Sequence, residues 1–555
     1  MPFARSAGFR AVLFACAALA AGGVLATACT RAGDAGGAQA GNAPPRTVRF
    51  AIAADPQSLN PLFAHVDANS VEQQIARLAF EPFIDVDERG APVPVLLDRI
   101  PTVENGGVSR DGRAITYHLR AGVRWQDGVP VTARDVVWTL HAILDDRNAV
   151  RSRAGYDRVA RAEALNDRTV RVTLKEPWAP AVATLFSYGT APQYVLPAHL
   201  LAKEPNLEQS AFSSHPVGNG PYRFVSWSRG DHLVYEPNPS YWRGAPKLAQ
   251  LYVRIVPDPG ANFTLLQSGA LDWNLLSPAQ RASLGTPRGL DFRTVPLALV
   301  AGIAINVTHP PLDDVRVRRA IAASIDRDGI AKKITFGRYP VVDTAQPLWS
   351  WARDPSVREP GYDPAAADRL LDAAGWKRGA DGMRAKDGKP LALTYVQFPE
   401  SATGVRVATL VQSELAARGM RIAIKQLSNA QLFLPKSQGG TLANGGFDMA
   451  YVPWPMGADP DDSFLLACSG NANYMRWCDP QVDALERRAV VAPSRDERRR
   501  LYSAIQRRVA DQVPIVYLFN PSYSYAYRTA LRGFAPNAFN PTWNAYTWST
   551  TPTSP

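Results

Sequence analysis

Within Phe447–Asp479 the apolar run Met449-Ala450-Tyr451-Val452 reads as a buried strand. Pro453 and Pro455 predict its end, because proline brings no N–H to a strand ladder. A carboxylate cluster follows, Asp459, Asp461 and Asp462, bracketed by Trp454 and Trp477. A carboxylate at the end of a buried strand, walled by aromatic rings, suits capture of an ammonium group. The same residues also read as a solvated acidic turn, with Asp461-Asp462-Ser463 capping a helix behind it. Sequence alone leaves both readings open.

At 555 residues, 46% apolar and 20% charged, the chain has material for several domains with substantial cores. The net charge of +11 raises the question of nucleic acid. Its distribution argues against that partner. Arginines are interspersed with acids, as in Asp145-Asp146-Arg147 and Arg495-Asp496-Glu497-Arg498, and the densest basic run, Arg498-Arg499-Arg500, falls inside a predicted amphipathic helix. A solvated basic surface is the reading.

Residues 1–28 have the form of a secretory signal: Arg5 and Arg10, then the apolar segment Ala11 to Leu25, short for a membrane span. Ala26-Thr27-Ala28-Cys29 resembles a lipoprotein lipobox, with Leu25 one place further from the cysteine than the usual pattern. Ala26-x-Ala28 equally suits ordinary signal peptidase at the same bond. The expectation is an exported protein of the periplasm or cell envelope, tethered to the membrane if Cys29 is acylated. Residues 30–45, rich in Gly, Ala and Pro, predict a flexible tether. Of the four cysteines, Cys16 lies in the signal, which leaves Cys468 and Cys478 as a disulfide or as two unpaired thiols. No third and fourth ligand stands near them, so no metal site is expected.

From Thr47 the text alternates strand, turn and helix. Val71, Ile75, Leu78 and Ala79 share one helical face, and Thr132 is placed to cap a helix that Asp135 and Val136 begin. DPQSLNPLF from Asp55, LAFEPFIDVDERGAPVPVLLDRI from Leu78, and TYHLRAGVRWQDG from Thr116 continuing into Pro130–Val137 stand in that order. Val217-Gly218-Asn219-Gly220-Pro221-Tyr222, Tyr241–Pro246, Ile305-Asn306 with Pro311 and Asp313–Ala320, and Tyr362-Asp363-Pro364 through Trp376 follow. The set resembles the peptide- and nickel-type solute-binding proteins of ABC importers, extracellular solute-binding family 5, from Thr47 to the C-terminal strands. Gly218-Asn219-Gly220 is not a dinucleotide fingerprint, since Pro221 follows and Arg223 stands where the last glycine belongs; it reads as a tight turn.

Motifs of catalysis are missing from the text: no Gly-x-Ser-x-Gly elbow, no His-Glu-x-x-His, no Walker loop. The seven histidines are scattered singly. No catalytic residue, cofactor or metal is assigned, and the chain is not expected to be an enzyme.

The resemblance implies an α/β, two-lobed periplasmic-binding-protein clamshell with an extra domain, its lobes discontinuous and joined by a two-crossover hinge. Lobe I is expected at 46–81, 215–305 and 520–555, the extra domain at 82–214 and lobe II at 306–519. The crossovers are expected near Ile305-Asn306 and Phe519-Asn520. A monomer is expected that closes around an oligopeptide and delivers it to ABC permease subunits. Position by position, Asp459 is the carboxylate implied to hold the ligand α-amino group. Trp454, Met456, Gly457 and Ala458 are expected to line the cleft, Asn69 and Ser70 to face them, and Tyr474 and Trp477 to be wall candidates or plain core. Asp461 and Asp462 are expected as helix-capping or surface carboxylates. Alternatives are a non-peptide ligand on the same fold (a nickel chelate, sugar or opine-like compound), an exported hydrolase, and a chaperone-like binder of unfolded chains.

Overall fold

Apolar alternation decides the first sheet. Val48, Phe50 and Ile52 are almost fully buried along Thr47–Ile52, which pairs in parallel with Gln250–Ile255. His232–Pro237 and Tyr222–Ser228 complete this four-stranded sheet. In a computed structural model of the protein, residues 46–63, 70–150, 152–189 and 192–551 are described. The signal segment, Cys29, the tether and Asn69 lie outside the described residues.

A second, three-stranded sheet places Ser522–Arg528 between Trp273–Leu276 and Leu290–Pro296, antiparallel to both. The C-terminal part of the chain thus returns to the first lobe. Within 82–214, the strands Ala114–His118, Thr169–Leu174 and Val159–Asn166 form a third sheet covered by the helix Ala133–Leu144. Thr132 stands at that helix's N-cap, its N–H donating to the Asp135 carboxylate at 2.8 Å. This segment shares one continuous hydrophobic core with the first lobe, running from Val48 through Tyr117 and Phe186 to Trp548.

A separate core belongs to the five-stranded sheet Arg421–Gln426, Ala392–Gln397, Met449–Pro455, Leu299–Ile305 and Ile515–Phe519. The strand Leu299–Ile305 was expected to close lobe I; its seven residues pair antiparallel with Met449–Pro455, so the crossover falls ahead of it, between Ala298 and Val300. The second crossover lies between Phe519 and Tyr525.

The strand at Met449 also differs from expectation, since it runs through both prolines to Pro455. Met456 donates its N–H to Ala298, so even-numbered residues hydrogen-bond toward Leu299–Ile305 and odd-numbered ones face the other way. On that other side the pairing with Ala392–Gln397 ends at Ala450. Pro453 and Pro455 therefore lack their N–H where the ladder has already stopped.

Gly218 and Gly220 lie against the end of the helix Val71–Ala79. A Cβ on Gly218 would stand 1.8 Å from the Ala79 carbonyl oxygen, and Gly220 donates its N–H to that oxygen at 2.7 Å. The turn serves close packing and not a ligand. Among the described residues no helix is long and apolar enough to cross a membrane.

Candidate functional site

The segment that follows Pro455 leaves the second core and crosses toward the first. Ala458 packs against the first core, and the Ala179 N–H donates across the cleft to the Val490 carbonyl at 2.6 Å. Two cavities lie along this seam, of about 270 and 380 Å³, and Trp178, Ala183, Ser187, Ala458 and Asp459 line both. Gly457 and Asp461 line only the larger one.

Asp459 sits at the junction with 13% of its side chain exposed, and Arg498 faces it with 7%. Arg498 Nη1 donates to Asp459 Oδ2 at 2.7 Å and Nη2 donates to Oδ1, a bidentate fork. Its Nε donates to the Ala489 carbonyl at 3.0 Å, and Nη2 also reaches the Tyr502 hydroxyl at 3.3 Å. Burial opposes the guanidinium charge, but the Asp459 carboxylate outweighs it and the Arg498 pKa is raised. The chain thus supplies Asp459 with a cation of its own, a partner the sequence reading did not name. Asp459 Oδ1 further accepts the Asp461 N–H at 3.1 Å. A carboxylate offers about four acceptor sites. Among the described residues these contacts fill both positions on Oδ1 and one on Oδ2.

The neighbouring acids do other work. Asp461 accepts the Ser463 N–H and Oγ–H, at 3.1 and 2.6 Å, and burial raises its pKa. Asp462, expected on a helix cap or the surface, stands at the N-cap of the helix Ser463–Leu466 without a side-chain cap bond; it is fully buried and accepts from Gln346 Nε2 at 2.8 Å. Beside it Glu486 is 2% exposed, and among the described residues no N–H donor reaches its carboxyl oxygens or Asp462 Oδ1. The two carboxyls are neighbours, and a proton on either one gives it a donor toward the other. Burial first, then the Asp462 charge, lifts Glu486 well above the usual carboxylate range, while Asp462 is raised to about 6.

Of the remaining expected site residues, Trp454, Met456 and Trp477 are buried in the second core, and Tyr474 sits at its edge against Phe433, ring centroids 6.2 Å apart. None of these four lines either cavity. Packing explains them: the strand runs on past Pro453 beside Leu299–Ile305, so Trp454 stays in that sheet opposite Val300 and inside the second core. Ser70 accepts the Gln73 N–H as N-cap of the helix Val71–Ala79. Cys468 and Cys478 form a disulfide, Cα–Cα 4.5 Å, which closes the segment following the carboxylate cluster.

Several site residues escaped the sequence reading. Arg498 occurs on the buried stripe Arg498, Leu501, Tyr502, Ile505 and Val509 of the helix Arg495–Gln512, a period that marks it as inward-facing despite its basic neighbours. Trp178 is held over Gly155, whose backbone is left-handed (φ 83°) and where a Cβ would meet the indole at 2.4 Å. Arg158 stacks on Trp178 at 5.1 Å. On the other wall, Trp351 carries Arg495 and Arg498 at 4.7 and 5.5 Å.

Two sheets with separate cores, joined by two crossovers and enclosing cavities with one carboxylate at their junction, define a two-lobed solute receptor. The model of bacterial extracellular solute-binding proteins, family 5 Middle, matches residues 91–476, and the chain belongs to that family. It is 33% identical over 398 residues to protein XP55 of Streptomyces lividans, covering 68% of this chain and 66% of that protein. It is 29% identical over 460 residues to the di/tripeptide-binding protein 2 of Pseudomonas aeruginosa, covering 78% and 82%. The crystal structure of the ABC transporter substrate-binding protein CtaP of Listeria monocytogenes shares the fold, with TM-score 0.79 and 23% identity over 91% of this chain and 99% of that one.

Proposed function

We propose that this protein is the substrate-binding component of an ABC importer that captures oligopeptides outside the inner membrane and presents them to permease subunits. The observation that carries the site assignment is Asp459, placed where both cavities meet, with one acceptor position of Oδ2 that no described residue fills. The ligand ammonium takes that position. Arg498 is then a positioning residue: its fork fixes the plane of the carboxylate that meets the ligand. Gly457 and Ala458 present backbone to an extended chain, whose main-chain hydrogen bonds are blind to side-chain identity. The similarity to a di/tripeptide-binding protein supports the ligand class. Export and tethering through Cys29 rest on the N-terminal sequence.

Native mass spectrometry of the mature protein, gently purified, tests the reading. A ladder of short peptide masses, lost on Asp459→Asn, is the expected result. A non-peptide mass retained by that variant would replace the oligopeptide and the amine contact together. Such a ligand has one observation in its favour, that Arg498 already neutralises Asp459.

A further inference from the structure

The smaller cavity is chemically lopsided. Ile84, Val86, Val108, Ile115 and Val182 line it, with the Trp178 and Trp351 rings. The charged groups among its described lining residues are Glu104, Asp459, Arg495 and Arg498. Glu104 is fully solvated, Arg495 is exposed and lies over Trp351, and Asp459 and Arg498 are paired with each other. Apart from these charged groups and from Thr102, Ser187 and the Tyr188 hydroxyl, the lining is aliphatic and aromatic, and its charges are either solvated or paired. Its volume of about 270 Å³ exceeds the roughly 150 Å³ known to accommodate a benzene ring in an apolar cavity.

We infer that this cavity is a specificity pocket for the side chain of the ligand's first residue, and that the protein selects peptides whose N-terminal residue is apolar, aromatic or large aliphatic. This rests on the amine-capture reading. With the ammonium on Asp459, the first Cα lies one bond from the anchored nitrogen, so its side chain is the one within reach of a cavity that begins at that carboxylate. The second cavity, which shares Trp178, Ala458 and Asp459 with the first, leads away along Gly457 and Gly189 and takes the rest of the chain. Transfer of a phenylalanine or leucine side chain from water into such a pocket is worth a factor of roughly 10–100 in affinity. A charged side chain there would be desolvated without a partner.

Calorimetric titration of the full mature chain with Phe-Ala-Ala, Leu-Ala-Ala, Ser-Ala-Ala, Glu-Ala-Ala, Gly-Ala-Ala and N-acetyl-Phe-Ala-Ala decides it. Expected is binding of the Phe and Leu peptides at least about tenfold tighter than the Ser and Glu peptides, with the acetylated peptide weakest. Equal affinity across the free-amine series, or preference for Ser or Glu, overturns the pocket while leaving amine capture standing. If the acetylated peptide binds as well as its parent, or if no peptide binds, the amine reading falls and the pocket with it. Val182→Trp, which fills the cavity, is expected to bring the ratio of Phe-Ala-Ala to Gly-Ala-Ala affinity toward one. An unchanged ratio would overturn the assignment independently of the peptide series.

Discussion

Asn520 Nδ2 stands 2.6 Å from the carbonyl oxygen of Leu299, so a side chain on the second crossover is bonded to the backbone of the first. The same amide donates to Leu297 O at 2.9 Å, and its oxygen accepts the Leu348 N–H at 3.1 Å. One buried residue thus ties together the two strands of chain that join the lobes through three backbone groups, of which Leu297 O also accepts the Trp349 indole N–H at 3.2 Å.

Asn520→Leu keeps the side-chain branching and removes every one of these bonds. Leu299 O and Leu348 N lose this partner, at about 1–3 kcal/mol for each buried group left unpaired, so a loss of roughly 2 kcal/mol or more is expected in urea denaturation. A loss under about 1 kcal/mol would mean the crossovers are held by packing alone.

Arg498 and Asp459 form a buried pair, and removing one partner leaves the other charge unsolvated. Arg498→Met or Asp459→Asn alone is expected to cost about 3–5 kcal/mol of stability. The double variant should be less harmed than the sum of the singles, with a coupling above about 1 kcal/mol. Additivity would show that the two side chains do not interact in solution.

Glu486 carries a pH prediction. Its pKa in the folded protein is raised, burial being the main cause and the Asp462 charge the next. A group raised on folding contributes stability that is fully present below its unfolded value, about 4.3, and that is lost as pH climbs through the folded value. Asp462, raised to about 6, has the same sign. Glu486→Gln keeps a donor toward Asp462 and removes the titration. The variant is expected to gain on the wild type by more than about 1 kcal/mol between roughly pH 4.5 and pH 8. A difference constant across that range would mean that Glu486 is not raised on folding.

Reducing the Cys468–Cys478 bond opens a short loop, with 10 residues of sequence separation. Loop closure of that length is worth roughly 2–3 kcal/mol. Denaturation with and without reductant should differ by about that amount, and ligand affinity should change little, because neither cysteine lines a cavity.

Family and fold were legible because turns and caps carry local chemistry: Thr132 before Asp135, Gly218 and Gly220 against Ala79, Asp363 before Pro364. The carboxylate at Asp459 was legible for the same reason, as part of a contiguous motif. Its partner was not. Arg498 is separated from it by 39 positions and is brought there by the packing of a helix whose buried stripe is partly hidden among arginines. The aromatic wall was misplaced because Trp454 and Trp477 are near Asp459 in sequence, whereas the rings that line the cavities, Trp178 and Trp351, come from two distant segments. Proline read as a strand stop fails where the missing N–H faces an unpaired edge, which depends on which neighbour strand ends first.

The position of Ser522–Arg528 in the middle of its sheet bears on the order of assembly. Chains emerge N-terminus first, and Trp273–Leu276 and Leu290–Pro296 pair with this late segment and not with each other. Until residue 528 has been delivered, both strands present open edges of the kind that recruit stray chains. The sheet around Leu299–Ile305 needs nothing beyond Phe519. The second lobe can therefore close on itself while the first is still incomplete. A chain cut short after Phe519 keeps a finished lobe II attached to an unfinished lobe I, and proteases would remove the latter first.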